Sequence, residues 1–197
     1  NQYIVISCLE MNEVEAVKTK GEVLLVEQLL RKHKGDVYGD LWRVGVNLAL
    51  RISDLLAIKF TAIDWDRGEY RLTEGKTKKL RVVRLNGPAR NVIDRRHFEH
   101  PQDVYLFQVH SNRTASLGPR PIGRVTVAKA FKEIGEIVGV RLGTHSMRKS
   151  RGWAMYSDGV PIEMIAKVLN HSSPATTMAY LGITKDEVLQ TYLDYEL

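Results

Sequence analysis

Cysteine is almost missing from this chain: Cys8 is the only one in 197 residues. One thiol closes no internal disulfide, so the fold must rest on its core, and a reducing cytoplasm is the expected setting. The paired-Cys and His-Glu-x-x-His spacings that hold zinc are absent, and so is the Gly-x-x-x-x-Gly-Lys-Ser/Thr loop that cradles nucleotide phosphates. Long apolar runs are absent too, none approaching the roughly 20 residues of a membrane-spanning helix. The opening run at residues 3–9 is short and lacks the basic flank of a secretory signal. No internal repeat or low-complexity tract interrupts the chain.

Charge of one sign is in excess. Lys and Arg number 29 against 23 Asp and Glu, for a net charge of +6, and the isoelectric point is near 9.4. That balance suits a polyanionic partner. A 44% hydrophobic share is ordinary for a folded chain of this length, which allows one large domain or two small ones.

Residues 1–20 read as an extended or linker segment. Apolar residues at Val23, Leu25, Val26, Leu29 and Leu30 predict an amphipathic helix over 21–34, with Gly35 placed to end it. A more apolar helix is predicted over 41–51, and Arg51 emerges from it. A guanidinium rising from a buried stretch needs a partner, and Asp54, three residues on, is the plain candidate. Residues 60–85 predict three short antiparallel strands, with turns at 66–68 and 75–79. Lys76, Lys78 and Lys79 crowd the second turn, and Arg81 follows it. A helix is predicted over 87–98, a short buried segment around 103–107 and a loop over 110–123. That loop carries Arg113 and Arg120, with Arg124 just after it. Val127, Phe131, Ile134 and Ile137 form the inward stripe of a helix over 125–138, ended by Gly139, with Lys129 and Lys132 on its solvated side. A last short amphipathic helix is expected over 184–197. The whole reads as one α+β domain, mainly α, with a small antiparallel sheet.

Residues 144–180 organise the rest. Thr144 stands where an N-cap belongs, which puts His145 and Arg148 on one helical face, one turn apart. Ile162, Ile165, Ala166 and Leu169 repeat at helical spacing up to Asn170 and His171, and Tyr180 lies nine residues after His171. Each of these residues alone is unremarkable, and Tyr156, Tyr192 and Tyr195 are rival tyrosines. The ordered set Arg51, His-x-x-Arg at 145–148, His171 and Tyr180 resembles the tyrosine recombinase (phage integrase) family, with the likeness running from residue 21 to about residue 193.

The resemblance implies a recombinase catalytic domain at 21–197, without the N-terminal core-binding domain that many members carry. The chain then reads as a piece cut from a longer protein or as a minimal member. It implies Arg51, Lys76, His145, Arg148 and His171 as catalytic residues, Tyr180 as nucleophile and Asp54 as support, with Lys78 the fallback for Lys76. Lys78, Lys79, Arg81, Arg120 and Arg124 are the DNA-contact candidates. Implied also are double-stranded DNA as partner, a homo-tetramer on it, action in the cytoplasm, and a 3′-phosphotyrosine intermediate formed without metal, ATP or other cofactor. Chemistry agrees: arginine forks match the phosphate oxygens that gain charge in transfer, and histidines supply donors or proton transfer. A positive site is expected to favour the Tyr180 phenolate. A type IB topoisomerase, or a DNA-binding regulator that keeps the fold without the chemistry, would show much the same pattern.

Overall fold

The computed structural model describes residues 13–75, 78, 80–110, 118–183 and 185–194. Helix α1 (Lys20–Lys34) begins at a reciprocal cap: the Thr19 side chain accepts the Glu22 amide, and the Glu22 carboxylate accepts the Thr19 amide. Gly35 then serves both α1 and α2 (Asp36–Leu48), at a φ of 107° that side chains disfavour. Helix α2 therefore starts five residues before the expected position. It also stops short of Arg51, because Ala49 turns left-handed (φ 50°). Arg51 sits on the extended link that opens the short α3 (Ile52–Leu56).

The predicted sheet forms, in the order β1 (Ile63–Asp64), β2 (Glu69–Thr73), β3 (Leu80–Arg84), all antiparallel. Tyr70 pairs with both Ile63 and Val83, and Leu72 pairs with Arg81. Tyr70 and Leu72 are buried, whereas Leu80 and Val82 face outward at 74% and 51% exposure. By the two-residue period, Arg81 shares the inner face with Val83. Helix α4 (Gly87–Glu99) follows, capped by the Asn86 side chain, and α5 (Arg124–Val138) ends at Gly139 in the left-handed region. Its inward stripe is Val127, Phe131, Ile134 and Val138; Ile137 is one step off that stripe and exposed.

Most of the molecule shares one core, centred on Trp42 of α2, whose ring meets the Phe131 ring edge-on at 5.4 Å. The start of the described chain packs against this core. Val17 is buried, its amide donates to Ser150 Oγ at 2.8 Å, and the Glu15 amide donates to the Arg141 carbonyl at 2.9 Å. The last helices, α6 (Ser146–Ser157), α7 (Ile162–Leu169) and α8 (Pro174–Leu181), share a smaller cluster of Ala49, Ile165, Leu169 and Leu181. Two glycines set how closely α6 is gripped. A Cβ on Gly45 would stand 2.1 Å from Met147 Sδ, and one on Gly152 would stand 2.9 Å from Leu181 Cδ2. Helix α9 (Lys185–Asp194) closes the described chain with Leu189 and Leu193 exposed. Among the described residues no helix is long and apolar enough to cross a membrane.

Candidate active site

Three arginines converge on the C-terminal end of α7. Arg81 Nη2 donates to the Val168 carbonyl, Arg148 Nη2 to the Leu169 carbonyl at 2.5 Å, and Arg51 Nη2 to the Asn170 carbonyl at 3.4 Å. The last carbonyls of a helix lack intrahelical donors and carry the negative end of its dipole, so they hold guanidinium groups well. Asn170, left-handed at φ 49°, ends the helix and turns the chain toward His171. The left-handed Ala49 has the matching role at the end of α2, where its carbonyl accepts Arg148 Nη1.

Arg51 does not pair with Asp54. Its Nη1 donates to Glu74 Oε2 at 2.7 Å, while Asp54 Oδ1 accepts the Gly75 amide at 3.0 Å. The short helix α3 carries Asp54 past Arg51 toward the root of the β2–β3 hairpin. His145 rather than Thr144 stands at the N-cap of α6, without a side-chain cap bond, and Ser146 Oγ accepts the Gly143 amide instead. The expected proximity of His145 and Arg148 survives that one-residue shift. Ser173 caps α8 and Pro174 takes its first position. This short helix returns Tyr180 to the site, where its hydroxyl donates to the His145 carbonyl at 3.2 Å. His171 meets the Tyr180 ring edge-on, with centroids 4.9 Å apart, and its Nδ1 lies 3.0 Å from the buried Thr177 hydroxyl. Lys149 lies 5.2 Å over the Tyr180 ring and bonds Glu13.

Burial and positive charge act together on the titrating groups. Desolvation first, then Arg148 and Arg51, hold His171 down to about 4, so it is neutral at neutral pH. His145 is lowered likewise, by desolvation and then by Arg148, Arg124, Lys149 and Arg51. For Tyr180 burial outweighs the nearby Arg148 and raises the phenol above its usual value, contrary to the expected phenolate. Without DNA the tyrosine is a neutral hydroxyl.

The remaining candidates separate. Lys76 and Lys79 lie outside the described residues. Lys78 is exposed in the hairpin turn with a positive φ. Arg81 is mostly buried, bonded to Glu74 Oε1 at 2.9 Å as well as to α7, rather than free on the surface. Arg124 opens α5, exposed and near enough to His145 to lower its pKa. Arg120 lies on a separate cleft that His100 and His110 also line. There His100, Asp103 and His110 bring ligand-type atoms within 4.8 Å of one another. The two rings stack at 4.9 Å and Asp103 takes the His110 Nε2 bond at 3.0 Å, contacts that account for the cluster without an ion.

Glu74, Asn170 and Thr177 are site residues the sequence reading passed over. For Glu74 a signal existed: Tyr70, Leu72 and Glu74 continue one inward alternation past the end of β2. Nothing in the local sequence separates Thr177 from its neighbour Thr176.

The Phage integrase family profile matches residues 40–187, which include every described site residue. This chain belongs to the phage integrase family. Across 184 residues it is 32% identical to Probable integrase/recombinase YoeC of Bacillus subtilis (strain 168), covering 92% of this chain and 97% of that one. It is 30% identical over 141 residues to tyrosine recombinase XerA of Pyrococcus furiosus, covering 68% of this chain and 46% of XerA. The fold matches the Tn1549 transposon integrase, solved with a circular intermediate DNA, at a TM-score of 0.70 and 14% identity, over 93% of this chain and 66% of that one. The chain thus spans nearly all of one relative and about half to two thirds of the others. It has the mainly helical fold and small antiparallel sheet of a tyrosine recombinase catalytic domain.

Proposed function

We propose that this chain is the catalytic domain of a site-specific DNA recombinase working through a 3′-phosphotyrosine intermediate. The observation that carries the reading is the gathering of Arg51, Arg148, His145, His171 and Tyr180 around one helix end, from separate segments of the chain. Each guanidinium has five N–H donors, and the contacts to Glu74 and the main chain occupy only part of them. The free donors of Arg51 and Arg148 suit the nonbridging oxygens of a scissile phosphate, which gain charge in the transition state. Tyr180 Oη attacks phosphorus and the bond to the 5′ oxygen breaks. The phenolic proton passes to a neutral imidazole, which we assign to His145, whose carbonyl holds the hydroxyl at rest. Lys76, by family resemblance, protonates the departing 5′ oxygen. His171 donates to the phosphate with its ring set by Thr177. A 5′ hydroxyl from a second duplex reverses the step, and four protomers on two duplexes complete the exchange in the cytoplasm.

The test is a nicked suicide duplex, drawn from DNA flanking the coding sequence, incubated in EDTA and resolved on a denaturing gel. Wild type is expected to form a covalent adduct and Tyr180→Phe none. Demonstrated binding with no adduct would overturn the reading in favour of a noncatalytic DNA-binding member. Adduct and relaxation without exchange between duplexes would point to topoisomerase action.

A further inference from the structure

Glu74 is a fully buried carboxylate with no place in the chemistry above. Its two oxygens divide between two arginines: Oε2 accepts Arg51 Nη1 at 2.7 Å, and Oε1 accepts Arg81 Nη1 at 2.9 Å. The Asn170 side-chain amide also donates to Oε2. The main-chain carbonyl of Glu74 accepts the Lys78 amide at 2.9 Å, inside the turn, and the next amide, Gly75, is held by Asp54. One residue therefore touches the link that carries Arg51, strand β3, the end of α7 and the hairpin turn.

We infer that Glu74 is the positioning residue of this phosphate site. Its carboxylate fixes the Arg51 guanidinium and ties the β2–β3 hairpin to it, so that the arginine and the two hairpin strands hold one register. Arg81 is the second arm of that bridge. The inference rests on the function proposed above. Its physical ground is that a carboxylate can bridge two guanidinium groups through two acceptor oxygens, whereas a glutamine offers one oxygen and turns N–H groups toward cations. Loss of the bridge leaves Arg51 and Arg81 partly buried beside Arg148 without their shared counter-charge, and leaves Asp54 as the main hold on the hairpin root. A misplacement of about 1 Å can cost on the order of a hundredfold in rate.

Two measurements on the full chain test this. The first is hydrogen exchange on the DNA-free proteins. Glu74→Ala is expected to speed exchange of the Gly75 amide and the β3 amides about tenfold or more, with Glu74→Gln between it and wild type. Unchanged protection would overturn the bridge. The second is single-turnover adduct formation on two nicked duplexes, one ordinary and one with sulfur in place of the bridging 5′ oxygen. A thiolate leaves without a proton, so the sulfur duplex does not need the hairpin lysine. Glu74→Ala is expected to bind DNA within about threefold of wild type and to react roughly 100-fold slower on the oxygen duplex. Sulfur should restore about tenfold or more of that deficit, because the acid step is bypassed while the Arg51 defect remains. Equal deficits on both duplexes, or a wild-type rate on the oxygen one, would overturn the inference. Should Glu74→Ala melt early, Glu74→Gln carries the same comparison. If bound wild type forms no adduct, the phosphotyrosine reading fails, and hydrogen exchange still decides whether Glu74 holds the hairpin.

Discussion

Among the described residues two carboxylates with no exposure at all, Asp40 and Glu74, sit among arginines. In the main body Asp40 receives Arg31 at 2.7 Å, Arg96 at 3.0 Å and also Arg95. In the site Glu74 receives Arg51 and Arg81. Around Asp40 further carboxylates answer the charges: Arg31 also reaches Glu27 and Asp36, and Arg95 also reaches Glu99. Around Glu74 Arg148 adds a third guanidinium, and much of the balance comes from main-chain carbonyls at the end of α7. Carbonyl dipoles orient a cation without cancelling its charge. The Asp40 cluster is thus a structural clamp of α1, α2 and α4, whereas the Glu74 cluster keeps a positive surplus that favours an anion. Buried arginine alone does not distinguish the two clusters; incomplete neutralisation does.

Three measurements would break or sharpen that contrast. The largest expected effect is on stability: Asp40→Ala leaves the buried Arg96 without a carboxylate partner and should cost about 3–5 kcal/mol in chemical denaturation. An effect under 1 kcal/mol would mean that Glu27 and Glu99 suffice without it. Next is chemistry, where Arg51→Ala should lose roughly 3 kcal/mol or more of transition-state stabilisation, read as the single-turnover rate of adduct formation. A rate within about threefold of wild type would remove Arg51 from the phosphate seat. The smallest is acid sensitivity. His171 is held near 4 in the folded protein against an ordinary 6.5, so between those values the unfolded chain binds a proton that the folded chain does not. Folding stability should therefore fall as pH drops through that window, and His171→Gln should flatten that part of the curve. Denaturation midpoints at pH 7, 5.5 and 4.5 check it, and parallel curves for the two proteins would count against a desolvated His171.

Much of the architecture was legible in the chain because it follows from local rules. Helix periodicity, the Gly35 and Gly139 stops and the turn at 66–68 depend on neighbours in sequence, and those elements appear close to where they were expected. Departures came where distant parts decide. Helix α2 ends early because the left-handed Ala49 presents its carbonyl to Arg148, ninety-nine residues away. Arg81 is a DNA-contact candidate in the sequence, and strand register turns it inward toward Glu74. Tyr180 was expected to lean toward phenolate from the charges around it, and burial, which sequence does not display, outweighs them.

The sequence by itself determined which chemistry is available: two arginines, two histidines and a tyrosine at spacings that local helices and turns bring to one side, within a chain of positive net charge. Only the tertiary structure decided how they are held. Glu74 is 23 residues from Arg51 and 96 from Asn170. No local pattern links positions so far apart, whereas a buried carboxylate must find its cationic partners once the strands and α7 have packed.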